Sequence, residues 1–390
     1  MRRSLVIIAI ALLLVTVSAC RMWAAVPGGF GGAEDPSPTP PPPTLAPTFT
    51  PQPTPTPEPT AAPTPTLGPP PNLVASYPIE GDTVVRAEFP LTLEFDRPLD
   101  RGSVEEGLRI TPETAGAWEW PVDNVAVFRP EGGWTQQAYE VTVDGVRAVD
   151  GVPLGEGLAL RFGTGGKGIP VPALMYHDVK ELGPEANDVQ RTWTVSPEGF
   201  AEQMAYLARE GWHTIYPAQF LAYAQEGQPL PPKPVMITID DGYRSTYETV
   251  HPILMEAGLR AVLFVIPSHM GYSAYFDWEM TQELAEAGHE IGIHTLDHLA
   301  LRGESAGVLD VQVGEAKRQI EEALGRPAEA FCYPFGSYDE ATITALREHG
   351  YTTAFTLNGL PYQPADDPFR LNRLLVRYET TLEEFAELLP

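Results

Sequence analysis

The stretch Thr238-Ile239-Asp240-Asp241-Gly242 lies in the C-terminal part of this 390-residue chain, where strands and helices are predicted to alternate. It closes an apolar run over residues 235–239, which predicts a buried strand, and the glycine permits a sharp turn directly after two carboxylates. Asp-Gly is also common in ordinary turns, so the stretch alone leaves a purely structural role open. Its position at a strand end makes it a candidate site.

Strands and helices alternate around this stretch from residue 169 to the end of the chain. Ser196 is a predicted N-cap followed by Pro197 at the first helical position, and Thr381 with Glu384 forms a predicted capping box. The predicted strands are 171–176, 235–239, 261–266, 290–293, 330–333, 352–356 and 374–377; the predicted helices are 197–209, 246–256, 281–287, 308–324 and 340–349. Repeated βα units predict an α/β fold, a parallel sheet or barrel whose site lies at the carboxyl ends of the strands.

A second motif, His294-Thr295-Leu296-Asp297-His298, follows another predicted strand. On a helical turn, histidines four residues apart point the same way. Two histidines and a carboxylate suffice to hold a catalytic metal with a position left for water. A lone pair of histidines is often only a solvated surface, but this pair belongs to the same βα series as the two aspartates. We therefore predict a divalent-metal site formed by the two histidines and one of the two aspartates; Zn²⁺ fits such ligands, and Co²⁺, Ni²⁺ or Mn²⁺ could also occupy the site.

Two further motifs end predicted strands. Phe331-Cys332-Tyr333-Pro334-Phe335-Gly336 has the proline and glycine of an irregular turn, which could present a main-chain N–H to a developing oxyanion or be a plain loop. Met175-Tyr176-His177-Asp178-Val179 closes the first strand of the series. His177 there could be a general acid or a buried structural histidine.

Together the four motifs resemble the polysaccharide deacetylases with a NodB homology domain, carbohydrate esterase family 4, over roughly residues 170–390. The runs 174–177 and 287–295 look like the branch that includes the poly-N-acetylglucosamine deacetylases. The resemblance implies a distorted (β/α) barrel and a hydrolase that removes N-acetyl groups from amino sugars of a cell-wall or extracellular polysaccharide. An O-acetyl esterase and a catalytically silent glycan-binding or adhesion module are the alternatives.

The same resemblance implies a role for individual residues. Asp241, His294 and His298 match the metal ligands of the family. Asp240 matches its general base, and the backbone N–H of Phe335 matches its oxyanion donor.

The chain departs from the family pattern in two places. The third motif usually begins with an arginine that steadies the base, but Cys332 stands there, and Arg373 is the candidate replacement. The usual late histidine of the fifth motif is absent from the sequence. His177 is the candidate general acid in its place.

Residues 72–165 have a different pattern. Apolar and polar residues alternate over 91–95, 139–143 and 158–162, and turn residues separate these runs, which predicts a small β-sandwich. The segment resembles bacterial Ig-like domains of the S-layer type, and this implies a spacer or a binding module. A glycine-rich joint at 163–168 leads to the deacetylase-like domain, residues 169–390.

Residues 21–71 form a predicted disordered linker rich in proline and threonine. The chain has 42 prolines, and many of them lie between residues 36 and 71. Such a sequence cannot bury a core and favours polyproline II. At ~3.1 Å per residue it could hold a domain up to about 100 Å from an anchor.

Residues 1–20 are typical of an export signal. Arg2 and Arg3 precede an apolar run over 5–17 that is short for a membrane span. Val17-Ser18-Ala19-Cys20 then resembles a bacterial lipobox, which implies lipidation of Cys20 and attachment at the outer face of the cell membrane. An ordinary cleaved signal and an uncleaved anchor are the alternatives. With Cys20 lipidated, Cys332 has no partner for a disulfide.

The formal net charge of −27 argues against nucleic acid or an anionic membrane surface as the main partner of the chain. We expect an acetylated polysaccharide as the substrate and a monomeric protein.

Overall fold

The computed structural model describes residues 67–155 and 157–390. The predicted signal with Cys20, and the predicted linker up to residue 66, lie outside these residues and stay predictions. Among the described residues, no helix is both long and apolar enough to cross a bilayer.

The N-terminal part of the described chain holds seven strands in two antiparallel sheets, ordered β1-β2-β5-β4 and β3-β6-β7. Their bounds are β1 Leu73–Tyr77, β2 Leu91–Phe95, β3 Leu108–Thr111, β4 Gly116–Val122, β5 Val125–Pro130, β6 Tyr139–Val143 and β7 Ala159–Phe162. A short helix, α1 (Arg101–Gly107), was not predicted; Asp100 caps it by accepting from the Ser103 N–H. The resemblance to Ig-like domains stays a prediction.

The core of this β-region follows the predicted alternation. Leu91, Leu93 and Phe95 all point to one face of β2 and are buried. Trp134 packs edge-on against Tyr139 and Phe162, with ring centroids 5.0 Å away in each case. Aromatic contacts of this kind add to the free energy gained from burying the rings.

The C-terminal part is built on a parallel sheet of eight strands, ordered β16-β15-β14-β13-β12-β8-β17, with β11 paired to β12. A separate parallel pair joins β9 to β10. The bounds are β8 Ala173–Tyr176, β9 Asp178–Val179, β10 Thr194–Val195, β11 His213–Thr214, β12 Pro234–Ile239, β13 Val262–Val265, β14 Glu290–Ile293, β15 Ala330–Cys332, β16 Thr353–Phe355 and β17 Leu374–Leu375. The predicted α/β architecture is confirmed.

Helices separate most of these strands, and their ends follow the predicted caps closely. The Ser196 hydroxyl caps α3, and Thr381 with Glu384 forms the capping box of α10. The α-helices are α2 Asp188–Thr192, α3 Pro197–Arg209, α4 Pro217–Glu226, α5 His251–Glu256, α6 Trp278–Glu286, α7 Ala306–Leu309, α8 Ala316–Leu324, α9 Glu340–Glu348 and α10 Leu382–Glu387; π-helical turns at Thr246–Val250 and Asp310–Glu315 run into α5 and α8. Helices α2 and α4 were not predicted, and α6 begins three residues early because Asp277 caps it.

The segment that carries Arg373 closes the sheet into a distorted barrel. Leu371 pairs with Phe355 of β16, at one end of the strand order. A few residues later, β17 pairs with β8, at the other end. The segment therefore joins the two edges of the sheet, and only β8 separates β17 from β12, the strand that Asp240 follows.

The β-region packs directly against the barrel. Ser76 and Leu230 exchange backbone hydrogen bonds of 2.9 and 3.0 Å. The buried Tyr223 hydroxyl donates to Asp82 Oδ2 at 2.5 Å and accepts from the Ile79 N–H at 3.0 Å. One apolar cluster contains core residues of both parts. The β-region is thus held to the barrel by these contacts as well as by the glycine-rich joint.

Candidate active site

The four motifs meet at one edge of the barrel. Asp240 follows β12, His294 follows β14 and His177 follows β8, and the carboxyl ends of parallel strands lie together. They border a cavity of about 170 Å³. It is lined by His177, Trp193, Asp240, Asp241, Tyr243, His294, His298, Tyr333, Phe335, Leu357 and Arg373. Every predicted catalytic or metal-binding residue is in this set.

Asp241, His294 and His298 converge on one side of the cavity. Asp241 Oδ1 lies 3.6 Å from His294 Nε2 and 3.4 Å from His298 Nε2. The other ring nitrogen of His294, Nδ1, is 2.8 Å from the Cys332 carbonyl oxygen. That hydrogen bond fixes the ring so that Nε2 faces the carboxylate, as is usual for metal-binding histidines.

The chemistry of these three side chains fits a divalent cation. Asp241 Oδ1 is buried and has no hydrogen-bond partner among the described residues, an arrangement that is costly unless something else satisfies the oxygen. Burial lowers the pKa of His294 to about 3, and burial also lowers the pKa of His298. Both imidazoles are therefore neutral at pH 7, the form that binds metals. Two neutral imidazoles and one carboxylate could hold a divalent metal with a position open for water.

The turn that carries the two histidines is not helical, contrary to our expectation. Residues 294–298 follow β14 as a turn in which Thr295 and His298 have φ of 60° and 62°. Gln312 Nε2 donates to Asp297 Oδ2 at 2.8 Å, and Gln312 Oε1 accepts from the Asp297 N–H at 3.1 Å. The Gln312 side chain clamps this turn, and the left-handed backbone brings the ring centroids of the two histidines to 4.9 Å from each other. We had expected a helical turn to bring the rings together.

Backbone strain is concentrated at this site. Five non-glycine residues of the described chain have a left-handed φ, and four of them belong to the motifs: Asp241, Thr295, His298 and Phe335. Such conformations are costly for residues with a Cβ and persist where the surrounding structure enforces them, often at functional sites.

Asp240 lies on the other side of the cavity, paired with Arg373. Arg373 Nη1 donates to Asp240 Oδ1 at 2.7 Å, and both side chains are buried. Arg373 Nε also donates to the Thr356 carbonyl at 3.0 Å, which fixes the guanidinium. Burial alone would raise the pKa of Asp240, but the charge of Arg373, aided by the nearby imidazoles, holds that pKa well below its usual range. Asp240 is therefore ionised.

Cys332 lies against this ion pair. Arg373 Nη2 is 3.0 Å from Cys332 Sγ, and Sγ is 3.4 Å from Asp240 Oδ2. Burial raises the pKa of Cys332 well above its usual range, so it is a neutral thiol that can donate to the carboxylate. A small side chain at 332 leaves room for the guanidinium that enters from the barrel-closing segment. Arg373 thus contacts the carboxylate that we expected it to steady.

His177 borders the same carboxylate. Its Nε2 is 3.6 Å from Asp240 Oδ2, and its ring lies 4.6 Å from that of Trp193. Nδ1 is buried without a partner among the described residues. Burial lowers the pKa of His177 to about 4, so the ring is neutral at pH 7.

Four of the lining residues were missed in the sequence: Trp193, Tyr243, Tyr333 and Leu357. Tyr243 lines the cavity together with Asp241, and its position directly after Asp-Asp-Gly was a signal that could have identified it. Trp193 comes from a loop before β10, with no motif around it. Only the pairing of β10 with β9 brings that loop to the site.

Comparisons with known proteins agree with this geometry. Residues 227–354 match the family described as polysaccharide deacetylase. YxkH of Bacillus subtilis is 28% identical over 186 residues, which are 48% of this chain and 64% of that protein. The poly-beta-1,6-N-acetyl-D-glucosamine N-deacetylase of Staphylococcus epidermidis is 24% identical over 238 residues, which are 55% of this chain and 82% of that protein. The chain thus spans less than two thirds of YxkH.

A solved structure shares the fold of the barrel. The Streptococcus pyogenes deacetylase PplD superposes with a TM-score of 0.54 at 23% identity, over 57% of this chain and all of that chain (100%). At this identity the likeness concerns the fold alone.

Proposed function

Since this chain carries a polysaccharide deacetylase domain, we propose that it is a metal-dependent hydrolase that removes N-acetyl groups from the amino sugars of a cell-wall or extracellular polysaccharide. One observation supports the proposal above all: an ionised Asp240 lies beside Asp241, His294 and His298, whose side chains could hold a divalent cation. This places a proton acceptor next to three potential metal ligands.

We propose Asp241, His294 and His298 as the protein ligands of a divalent metal, with Zn²⁺ as the ion that fits this set of donors. A divalent cation at this position acidifies water and polarises an acetyl carbonyl. The chain itself supplies the remaining groups.

Asp240 is the proposed general base. Arg373 keeps its carboxylate ionised and holds it in one orientation, so it can accept a proton from the attacking water. The water oxygen forms a bond to the acetyl carbon as this proton leaves.

Phe335 and His177 are assigned the later steps. The Phe335 N–H is the proposed donor to the oxyanion. His177 is neutral in the free site and lies 3.6 Å from Asp240, so it can receive the proton that Asp240 has taken and deliver it to the amide nitrogen. The C–N bond then breaks, and the products are acetate and a free amino sugar.

The contact between Arg373 and Asp240 argues against a catalytically silent module. A buried carboxylate paired with arginine needs several favourable contacts to offset desolvation, and a glycan-binding surface has no use for it. The position of this ion pair beside the potential metal ligands favours catalysis. An O-acetyl esterase would use the same groups, and its substrates would distinguish it from an N-deacetylase.

The test is acetate release by the full chain loaded with Zn²⁺. Oligomers of β-1,6- and β-1,4-linked N-acetylglucosamine, peptidoglycan fragments and acetylated xylan form the panel. We expect acetate from at least one N-acetylated glycan and none from the chelated protein. Acetate from O-acetylated xylan alone would replace this proposal with the esterase.

We further propose that the enzyme acts as a monomer at the cell surface, anchored through lipidated Cys20 and held away from the membrane by the proline-rich linker. The lipobox-like sequence supports the anchor, and the composition of the linker supports the distance from the membrane. In cells, Cys20→Ala should shift the protein from the membrane fraction to the medium. Unchanged membrane association of that variant would contradict the anchor.

A further inference from the structure

A row of four aromatic rings leads from the cavity to the protein surface. Tyr243 lines the cavity and stacks on Tyr275, with centroids 5.2 Å apart and ring planes 19° apart. Tyr275 lies 4.7 Å from His269, which in turn lies 6.1 Å from Tyr272. Tyr272 is 62% exposed. The row is therefore continuous with the candidate active site at one end and open to solvent at the other.

The backbone holds this row in a fixed relation to the Asp-Asp-Gly turn. Tyr243 and Tyr275 form an antiparallel bridge. On either side of it, the Phe276 N–H donates to the Gly242 carbonyl at 3.1 Å, and the Arg244 N–H donates to the Ala274 carbonyl at 2.9 Å. Any molecule that lies along the rings is thereby placed relative to Asp241.

The exposed end of the row has no evident part in the core. Tyr272 is largely solvent-exposed, and among the described residues His269 is its one aromatic neighbour. Sugar rings offer apolar C–H faces with hydroxyl groups around their edges, and tyrosine pairs a flat apolar face with a polar tip. A neighbouring ring of the same glycan chain is thus the occupant that suits a row continuous with the cavity.

We propose that the row Tyr243–Tyr275–His269–Tyr272 binds the sugar residues next to the one being deacetylated, with Tyr272 as the outermost contact. This inference rests on the proposed deacetylase function and names side chains that bind the substrate outside the cavity. It assigns binding to Tyr272, the residue of the row that lies farthest from the proposed metal ligands.

The experiment compares kcat/KM for acetate release from N-acetylglucosamine monomer, dimer and pentamer, using the full Zn²⁺-loaded protein. We expect wild-type kcat/KM to rise with chain length, and Tyr272→Ala to reduce the pentamer-to-monomer ratio about fivefold, as for a peripheral aromatic contact. Tyr272→Phe keeps the ring and should keep the ratio. Val122→Ala, at an exposed side chain of the β-region, is the remote control and should also keep it. Metal content and unfolding temperature verify that each variant is folded.

The outcomes distinguish a failure of the aromatic row from a failure of the proposed deacetylase function. Acetate release with no dependence on chain length, or with a dependence that Tyr272→Ala leaves intact, overturns the aromatic row but not the deacetylase. Equal losses in Tyr272→Ala and Tyr272→Phe also overturn it, because stacking requires only the ring. Absence of acetate from every N-acetylated glycan overturns the deacetylase, and the inference with it.

Discussion

Asp240 and Asp241 are adjacent in the chain and both buried, yet their surroundings are opposite. The charge of Arg373 holds the pKa of Asp240 well below its usual range, against the effect of burial. Burial, together with the negative charge of Asp240, raises the pKa of Asp241 to about 7. One carboxylate has its counter-charge within the fold, and the other does not.

This difference suits the two aspartates to two different chemical roles, which could not be told apart from their adjacent positions in the sequence. A carboxylate that is ionised by an internal arginine remains a proton acceptor whether or not a metal is present. A carboxylate with an orphaned oxygen and two neutral imidazoles beside it is suited to a cation from outside. Asp240 has its counter-charge within the fold, whereas the side of the cavity with Asp241 is the one that could hold the proposed cation.

The largest effect is expected for Asp241→Asn. Loss of the charged ligand should abolish stoichiometric Zn²⁺ binding and reduce kcat by about 10³-fold or more, because a metal contributes several kcal/mol of transition-state stabilisation. The metal-free variant should unfold at no lower temperature than metal-free wild type, since it lacks an uncompensated buried carboxylate. Metal analysis and thermal unfolding check both points. Retention of one Zn²⁺ per chain would contradict the assignment of Asp241.

Asp240→Asn should reduce kcat by about 10²- to 10⁴-fold, the usual contribution of a general base. Zn²⁺ binding should be unchanged, because Asp240 is not a proposed ligand. Acetate release is measured beside metal content in the same preparation. Full activity would remove Asp240 from the mechanism, and loss of metal would show that the two sides of the cavity are not separate.

Arg373→Met should destabilise the fold by roughly 3–5 kcal/mol, the cost of leaving a buried charge without its partner. Adding Asp240→Asn to this variant should recover most of that loss, because no carboxylate then remains to be compensated. Denaturant titrations of the wild type and the three variants give the coupling free energy. Additive effects of the two substitutions would contradict the pairing.

A smaller effect, on the pH dependence of stability, is expected from Asp82. This buried carboxylate has neither an arginine partner nor a proposed metal. Burial raises its pKa to about 6, against the opposing hydrogen bond from Tyr223. The folded state therefore binds the proton more tightly than the unfolded state, and this stabilisation is present below pH ~4 and is lost as the pH rises through about 6. Wild type should lose about 2 kcal/mol across this range relative to Asp82→Asn. Parallel stability profiles of the two proteins would refute this.

Much of the site could be predicted because its residues stand in short motifs at strand ends. Asp240, Asp241, His294 and His298 were identified from strand, turn and spacing, and the structure brings them together. The helical turn expected for the two histidines was wrong, because the left-handed residues and the Gln312 clamp depend on contacts that local periodicity does not contain.

Other parts of the site arise from tertiary structure. Arg373 could be proposed only as a replacement for a missing residue; its contact with Asp240 depends on the segment that closes the barrel. Trp193 is brought in by the pairing of two very short strands. Three strands of the β-region, β2, β6 and β7, were predicted from the alternation of the sequence. The contacts of this region with the barrel, such as Tyr223 with Asp82, carry no local signal.

The most direct test of the central claim is acetate release as a function of bound Zn²⁺, measured with N-acetylglucosamine oligomers. We predict that chelated protein releases none, and that activity rises in proportion to metal until one Zn²⁺ is bound per chain. Protein that carries one Zn²⁺ at Asp241, His294 and His298 yet releases no acetate from any N-acetylated glycan would contradict the account. So would undiminished activity after complete removal of the metal.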